Sequence, residues 1–171
     1  KRPVILAGHG IILSGAHDEL RQFAEQGNIP ISTTLLGIGC IPESHPLNLR
    51  MMGMHGEAWV NHAIQTADLL IALGMRFDDR VTGNLSAYAR HANIIHVDID
   101  PAEISKNRVA DIPIVGDAKR VIEKITENLK ELAPELRAKN SAARKAWWAQ
   151  VREWKAEHPL VPEFSTEEIK P

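Results

Sequence analysis

Two arginines and two aspartates fall within five consecutive positions, Arg76-Phe77-Asp78-Asp79-Arg80, just after an apolar run that ends at Gly74. Guanidinium groups bind phosphates and carboxylates through paired hydrogen bonds, so this spacing suits an anionic ligand. The same four charges can also satisfy one another as a surface salt-bridge cluster. A second candidate is the turn Gly8-His9-Gly10, which follows the apolar run Pro3-Val4-Ile5-Leu6-Ala7. It resembles a dinucleotide fingerprint but lacks the third glycine, because Leu13 stands at that position. The acid expected at the end of the second strand is also missing, with Thr33-Thr34 in its place. An ordinary nicotinamide site is therefore disfavoured, and the turn reads either as a phosphate contact or as a plain tight turn.

Three further segments carry polar groups at strand ends or a helix start. Met51-Met52-Gly53-Met54-His55-Gly56 precedes a helical pattern. Its glycines permit close backbone approach, and its methionines can lie against a flat ring or serve packing in a loop. Asp98 and Asp100 can accept from a ribose or adenine, or cap the turn before Pro101. Gly116-Asp117 closes the last apolar run. His55, Glu57 and His62 do not form the His-Glu-x-x-His pattern, and the eight histidines are scattered, so no metal site is expected. No nucleophile elbow appears.

These segments need elements to position them. Apolar runs at 3–7, 29–33, 68–74, 93–99 and 112–115 predict strands, and amphipathic stretches between them predict helices. Ser14 is expected to cap a helix to Gln26, with Leu13, Ala16, Leu20, Phe23 and Ala24 on one face and Gly27 as its stop. Residues 36–53 read as irregular, and 57–67 as helical. Pro101 stands at an expected first helical position. Asp117 is expected to cap a helix that turns Val121, Ile122, Ile125, Leu129 and Leu132 inward. Strands apolar on both faces and separated by helices imply a parallel sheet covered on each side, a Rossmann-like three-layer α/β/α sandwich. Ligands of such sheets bind on the turns after the strands. Residues 135–158 predict one long helix carrying Trp147, Trp148, Val151 and Trp154, followed by an extended tail. The division expected is a domain over 1–133 and a C-terminal helix and linker over 134–171.

The chain has 171 residues, 44% hydrophobic and 25% charged, which suits one soluble globular domain. Twenty basic residues against 22 acidic ones leave a net charge of −2 and no basic stripe, so nucleic acid is not an expected partner. No apolar run approaches about 18 residues, so no membrane span is expected. The single cysteine, Cys40, excludes an intrachain disulfide, and a reducing, cytoplasmic setting is expected. The start at Lys1-Arg2-Pro3 and the close at Glu167-Glu168-Ile169-Lys170-Pro171 suggest a domain taken from a longer protein.

Taken together, Gly74-Met75-Arg76-Phe77-Asp78-Asp79-Arg80-Val81-Thr82-Gly83 and Gly53-Met54-His55-Gly56 resemble the middle domain of the acetohydroxyacid (acetolactate) synthase family. Matching stretches at 3–10, 33–42, 51–56, 68–84, 94–106 and 115–117 cover nearly all of the globular part. The resemblance implies a six-stranded parallel sheet of the DHS-like NAD/FAD-binding type that binds FAD in extended form. It places Gly8, His9 and Gly10 at the first flavin turn, and Thr34, Leu35 and Leu36 at the second. Met52, Gly53, Met54 and His55 would lie beside the flavin ring. Gly74, Arg76, Asp78, Arg80 and Val81 would line the fourth-strand loop, with Asp98, Ile99, Asp117 and Ala118 at the adenosine end. Arg80 would also favour the carboxylate of the second 2-ketoacid, with Asp79 holding its guanidinium. Family members often carry glycine at the position of His9, which leaves its backbone as the contact.

The whole enzyme implied by the resemblance condenses pyruvate with a second pyruvate or 2-ketobutyrate in branched-chain amino acid synthesis. It does so with thiamine diphosphate and Mg2+ held by other domains, and with FAD in a largely structural role. The catalytic glutamate and the Gly-Asp-Gly metal motif of the family are not in this chain, so the chain alone is expected to be inactive, with no catalytic residue of its own. A homo-oligomer with a regulatory small subunit is implied as well. Two other readings stand beside this one. The first is the middle domain of another thiamine-diphosphate enzyme such as pyruvate oxidase, and the second is a non-catalytic nucleotide-binding domain.

Overall fold

The computed structural model describes residues 1–131 and 134–159, and for 134–140 the backbone alone. Strand β1 (Pro3–Ala7) is buried at all five positions and runs through the middle of the sheet. The chain continues through helices α1 (His9–Leu13) and α2 (His17–Gly27) to β2 (Ile31–Thr33) and β3 (Asn48–Met51). Helix α3 (Ala58–Thr66) leads back to β4 (Leu69–Leu73). The one-turn helix α4 (Asp79–Thr82), β5 (Asn93–Asp98), β6 (Ile112–Val115), α5 (Ala118–Lys130) and α6 (Pro134–Glu157) follow. The six strands are all parallel in the order β3-β2-β1-β4-β5-β6. Helix α2 packs with α5, and α3 packs with α6. This is the doubly wound α/β arrangement expected from the apolar runs.

The helix expected from Ser14 begins later, at His17, and a separate short helix, α1, ends just before Ser14. Gly15 takes a left-handed φ of +64°, and Ser14 is the C-cap of α1 rather than the start of α2. Its hydroxyl donates to Gly10 O at 2.7 Å, so it closes a short helix instead of opening the expected one. Leu13 is 75% exposed and leaves the predicted apolar face, whereas Ala16, Leu20, Phe23 and Ala24 are buried as the spacing requires. The left-handed C-cap of α2 is Asn28 (φ +47°), one residue past Gly27.

Strand β3 lies inside the segment expected to be irregular. It pairs with β2 through a register shift at Ile31/Ser32, and Arg50 within it has φ +79°. Those two irregularities break the alternation by which a four-residue strand is recognised. Pro101 does not open a helix. Residues 101–105 form turns, with Asp98 Oδ1 accepting from Asp100 N at 3.0 Å and Asp100 Oδ1 accepting from Ala102 N at 2.8 Å.

Asp117 caps α5 through Arg120 N at 3.1 Å, and Ile122 is fully buried. Val121, Ile125 and Leu129 are partly buried against the core, and Leu132 lies outside the described residues. On α6, Trp147, Trp148 and Val151 join the core. Trp147 Nε1 donates to Pro3 O and Trp148 Nε1 to Asn28 O, both at 3.1 Å. The tail expected after residue 159 lies outside the described residues. No helix among the described residues is long and apolar enough to cross a membrane.

Candidate functional site

From β1 the chain moves outward through β2 and β3, then returns to place β4, β5 and β6 on the other side of β1. The reversal between β1 and β4 opens a crevice at the carboxyl ends of the strands, because the two connections leave in opposite directions. Gly8 N donates to Leu73 O and Gly10 N to Gly74 O, both at 3.0 Å, so the two turns touch backbone to backbone. A Cβ on Gly8 would overlap Gly74 O and Met75 Cβ, and one on Gly10 would stand 2.6 Å from Gly74 Cα. Gly74 itself has φ +57°, a conformation side chains disfavour.

Beside this contact is a cavity of about 340 Å³. His9, Gly10, Gly74, Asp98, Ile99, Asp117 and Ala118 line it, which brings together seven of the predicted site residues from four strand ends. The hydrogen bonds of Asp98, Asp100 and Asp117 are those of turn and helix caps. They leave each carboxylate a second oxygen free of those bonds.

The predicted residues of the 51–56 and 74–83 segments meet at a second point. Met54 N donates to Arg80 O at 2.9 Å, and Arg80 Nη1 lies 3.7 Å from Met54 Sδ. A Cβ on Gly53 would overlap Arg80 O. Asn61 of α3 holds the same loop, accepting from Gly53 N at 3.0 Å and donating to Gly53 O at 2.9 Å. Asp78 caps α4 through Arg80 N at 3.2 Å and Val81 N at 3.3 Å. Val81 packs against the core.

The charges of this loop neutralise one another only in part. Arg76 and Asp78 approach only to 4.0 Å, and among the described residues neither Asp79 nor Arg80 has an ion-pair partner. Asp79 therefore does not hold the Arg80 guanidinium as expected; the Met54 thioether does, and Asp78 supplies the local cap. A salt-bridge cluster of all four charges is therefore not formed, and the Arg80 guanidinium has no carboxylate partner among the described residues.

The third predicted turn is the short 3-10 segment Leu35–Gly37. Thr34 N donates to Ala7 O at 3.0 Å, which places the turn against the end of β1. Leu35, Leu36, Met54 and Ile99 are all more than half exposed, so the carboxyl edge of the sheet carries an apolar rim. Met52 is the exception among the predicted ring contacts, because its side chain is buried in the core.

A larger cavity, about 730 Å³, flanks β3 and is lined in part by Thr33, Cys40, Arg50, Met51, His55 and Glu57. Of the predicted flavin residues only His55 reaches it. Arg50 spans it with ion pairs to Glu43 at 3.1 Å and Glu57 at 3.7 Å. Burial pushes the Cys40 thiol up to about 11, which removes it as a nucleophile near neutral pH. No group of three or more His, Cys, Asp or Glu among the described residues is placed to hold a metal. Arg50, Asn61 and the buried His96 are contributors that sequence reasoning missed, since no spacing or motif marks them.

A sequence model of the family described as "Thiamine pyrophosphate enzyme, central domain" matches residues 1–125. The chain belongs to that family. Among curated proteins, a probable acetolactate synthase large subunit of Methanocaldococcus jannaschii is 50% identical over 171 residues, all of this chain and 28% of the relative. Acetolactate synthase isozyme 3 large subunit of Escherichia coli is 41% identical over the same span, 29% of its length. The chloroplastic acetolactate synthase 1 of Zea mays is 45% identical over 171 residues, 26% of its length. The chain thus spans less than a third of the curated relatives it matches.

Proposed function

We propose that this thiamine-enzyme central domain is the FAD-holding domain of an acetolactate synthase large subunit. The observation that carries the reading is the backbone contact of the Gly8–Gly10 and Gly74 turns at the sheet's reversal point. It brings Gly10 and Gly74 to the edge of a cavity lined also by Asp98, Ile99, Asp117 and Ala118, where a phosphate-bearing chain would lie. Those residues would take the adenosine end, and Arg76, Asp78 and Arg80 the middle. The apolar rim of Leu35, Leu36 and Met54 would face the flat ring, with Gly53 and His55 beside it. When bound, FAD supplies a rigid surface rather than electrons, because acetolactate formation is not a net redox reaction.

In the whole polypeptide, thiamine diphosphate and Mg2+ act from domains outside this chain, and the substrates are pyruvate and 2-ketobutyrate. The assembly is a homo-oligomer that takes a regulatory small subunit, in the cytoplasm. Flavin binding is tested by titrating the 171-residue chain with FAD and following quenching of flavin fluorescence. Saturable one-to-one binding is expected, and no binding overturns the reading. Arg80 Nη1 lies against Met54 Sδ with no carboxylate partner among the described residues, so it is assigned to the second ketoacid's carboxylate. Arg80→Ala in the full-length enzyme should lower carboligation roughly 10- to 150-fold, the equivalent of about 1.5–3 kcal/mol, with bound FAD retained. Parent-rate acetolactate formation with full flavin would remove that assignment.

A further inference from the structure

The segment between β4 and α4 has no regular structure, yet its side chains alternate strictly. Met75 and Phe77 are each 3% exposed, whereas the side chains of Arg76 and Asp78 are 61% and 40% exposed. Backbone bonds account for only the two ends of this segment: Gly74 N donates to Val97 O at 2.8 Å and Gly74 O accepts from Gly10 N at 3.0 Å, while Asp78 O accepts from Val81 N at 3.1 Å and Thr82 N at 2.9 Å. The carbonyl after that of Gly74, Met75 O, takes its hydrogen bond from a side chain, the His96 imidazole, with Nε2 at 2.9 Å. A carbonyl can only accept, so Nε2 carries the proton. The same ring meets Phe77 edge-on, with centroids 5.1 Å apart and planes at 82°. Phe77 in turn packs against Tyr88 at 6.2 Å.

His96 therefore grips both inward members of the alternation, one by hydrogen bond and one by ring contact. It sits on β5 between Ile95 and Val97, is 1% exposed, and its Nδ1 has no hydrogen-bond partner among the described residues. A buried nitrogen without a partner is a cost that an apolar residue of similar size would not carry. Packing alone does not account for a histidine here, but the otherwise unmet Met75 carbonyl does.

We propose that His96 is a positioning residue for the flavin contacts. By donating to Met75 O and seating Phe77, it sets the phase of the loop and so turns Arg76 and Asp78 outward to the ligand. The inference rests on the flavin reading above, and its test separates the two. His96→Gln can present an amide N–H close to the Nε2 position, His96→Asn presents one near Nδ1 instead, and His96→Phe keeps the ring contact without the donor. FAD titration of the chain should show at least tenfold weaker binding for His96→Phe and His96→Asn, with His96→Gln within about threefold of the parent. Thermal unfolding of the Phe variant should remain a single transition.

Parent-like FAD affinity in His96→Phe overturns the proposal. So does equal loss in all three variants, which would assign the effect to shape rather than to the donor. If the Phe variant fails to fold, the Asn and Gln pair carries the comparison. A parent that binds no FAD overturns the flavin reading, and hydrogen exchange in the flavin-free chain then decides the positioning role. Faster exchange at residues 75–78 in His96→Asn than in His96→Gln is expected, and equal rates overturn it.

Discussion

Replacing Gly8 by alanine isolates the steric demand at the β1–β4 reversal. Gly8 has φ −105° and ψ −170°, which alanine adopts without strain, so the effect of the substitution is contact alone. The added methyl would overlap Gly74 O and Met75 Cβ and stand 2.7 Å from Met75 Cα. Carbon atoms settle at about 3.5–4.0 Å, so the β4 turn must retreat by about 1 Å. Two hydrogen bonds cross this junction, Gly8 N to Leu73 O and Gly10 N to Gly74 O, and that retreat stretches both. Overpacking of this kind costs about 1–3 kcal/mol, and each weakened bond about 0.5–1.5 kcal/mol. The expected loss is therefore about 2–6 kcal/mol, a fall in Tm of roughly 5–20 °C. Urea unfolding of the chain measures it, with Gly15→Ala and Gly116→Ala as comparisons. Gly15 has open space but a left-handed φ of +64°, so its variant loses about 1–2 kcal/mol through conformation alone. A methyl on Gly116 meets a single atom, Val121 Cγ2 at 3.1 Å, which a shift of a few tenths of an ångström relieves, and should cost under about 1 kcal/mol. A Gly8→Ala protein within about 0.5 kcal/mol of the parent would refute the backbone contact from which the crevice is built.

Arg50 carries a left-handed φ of +79° and two half-exposed ion pairs, so Arg50→Gly exchanges strain for lost pairing and should stay within about 1 kcal/mol of the parent. Arg50→Ala keeps the strain and should be about 1 kcal/mol less stable than Arg50→Gly in denaturant titrations; the opposite order would contradict the φ argument. Trp147→Phe removes the donor to Pro3 O and leaves that carbonyl buried, for an expected loss of about 2–3 kcal/mol in calorimetry. A retained single transition would tie α6 to the sheet as one cooperative unit. Cys40 titrates near 11 in the folded chain because of its burial, above its ordinary value, so the folded state holds the extra proton between them. Stability from this group is complete below the ordinary thiol range and falls as pH rises toward 11, an effect that Cys40→Ala should abolish.

The central strands were legible because burial on both faces of a parallel sheet removes polar residues from the run, as in Leu69–Leu73. Strand β3 was not, because the Arg50 conformation and the β2 register shift interrupt its pattern over only four residues. The break between α1 and α2 was marked by Ser14-Gly15, a helix-ending pair that Ser14's capping preference disguised as a beginning. The one-turn helix α4 had a signal in Asp78, which stands two residues before the amide it caps. His96 had none. Alternation marks it as buried, but only the path of the 74–78 loop shows which carbonyl needs its proton.

The incomplete glycine fingerprint has a structural reason of its own. In the dinucleotide motif the third glycine lets the first helix lie close along the strand. Here α1 ends after five residues at the position where that glycine would stand, and Leu13 points to solvent at 75% exposure. The packing role passes to α2, whose Leu20, Phe23 and Ala24 are buried, so a side chain at position 13 meets no obstacle. The close approach that does require glycine has moved to the next turn in space, where Gly74 meets Gly8 and Gly10 across the sheet's reversal. The three glycines are thus distributed over β1 and β4, more than sixty residues apart in the chain. A linear motif cannot register that arrangement, although the backbone contact it produces is of the same kind.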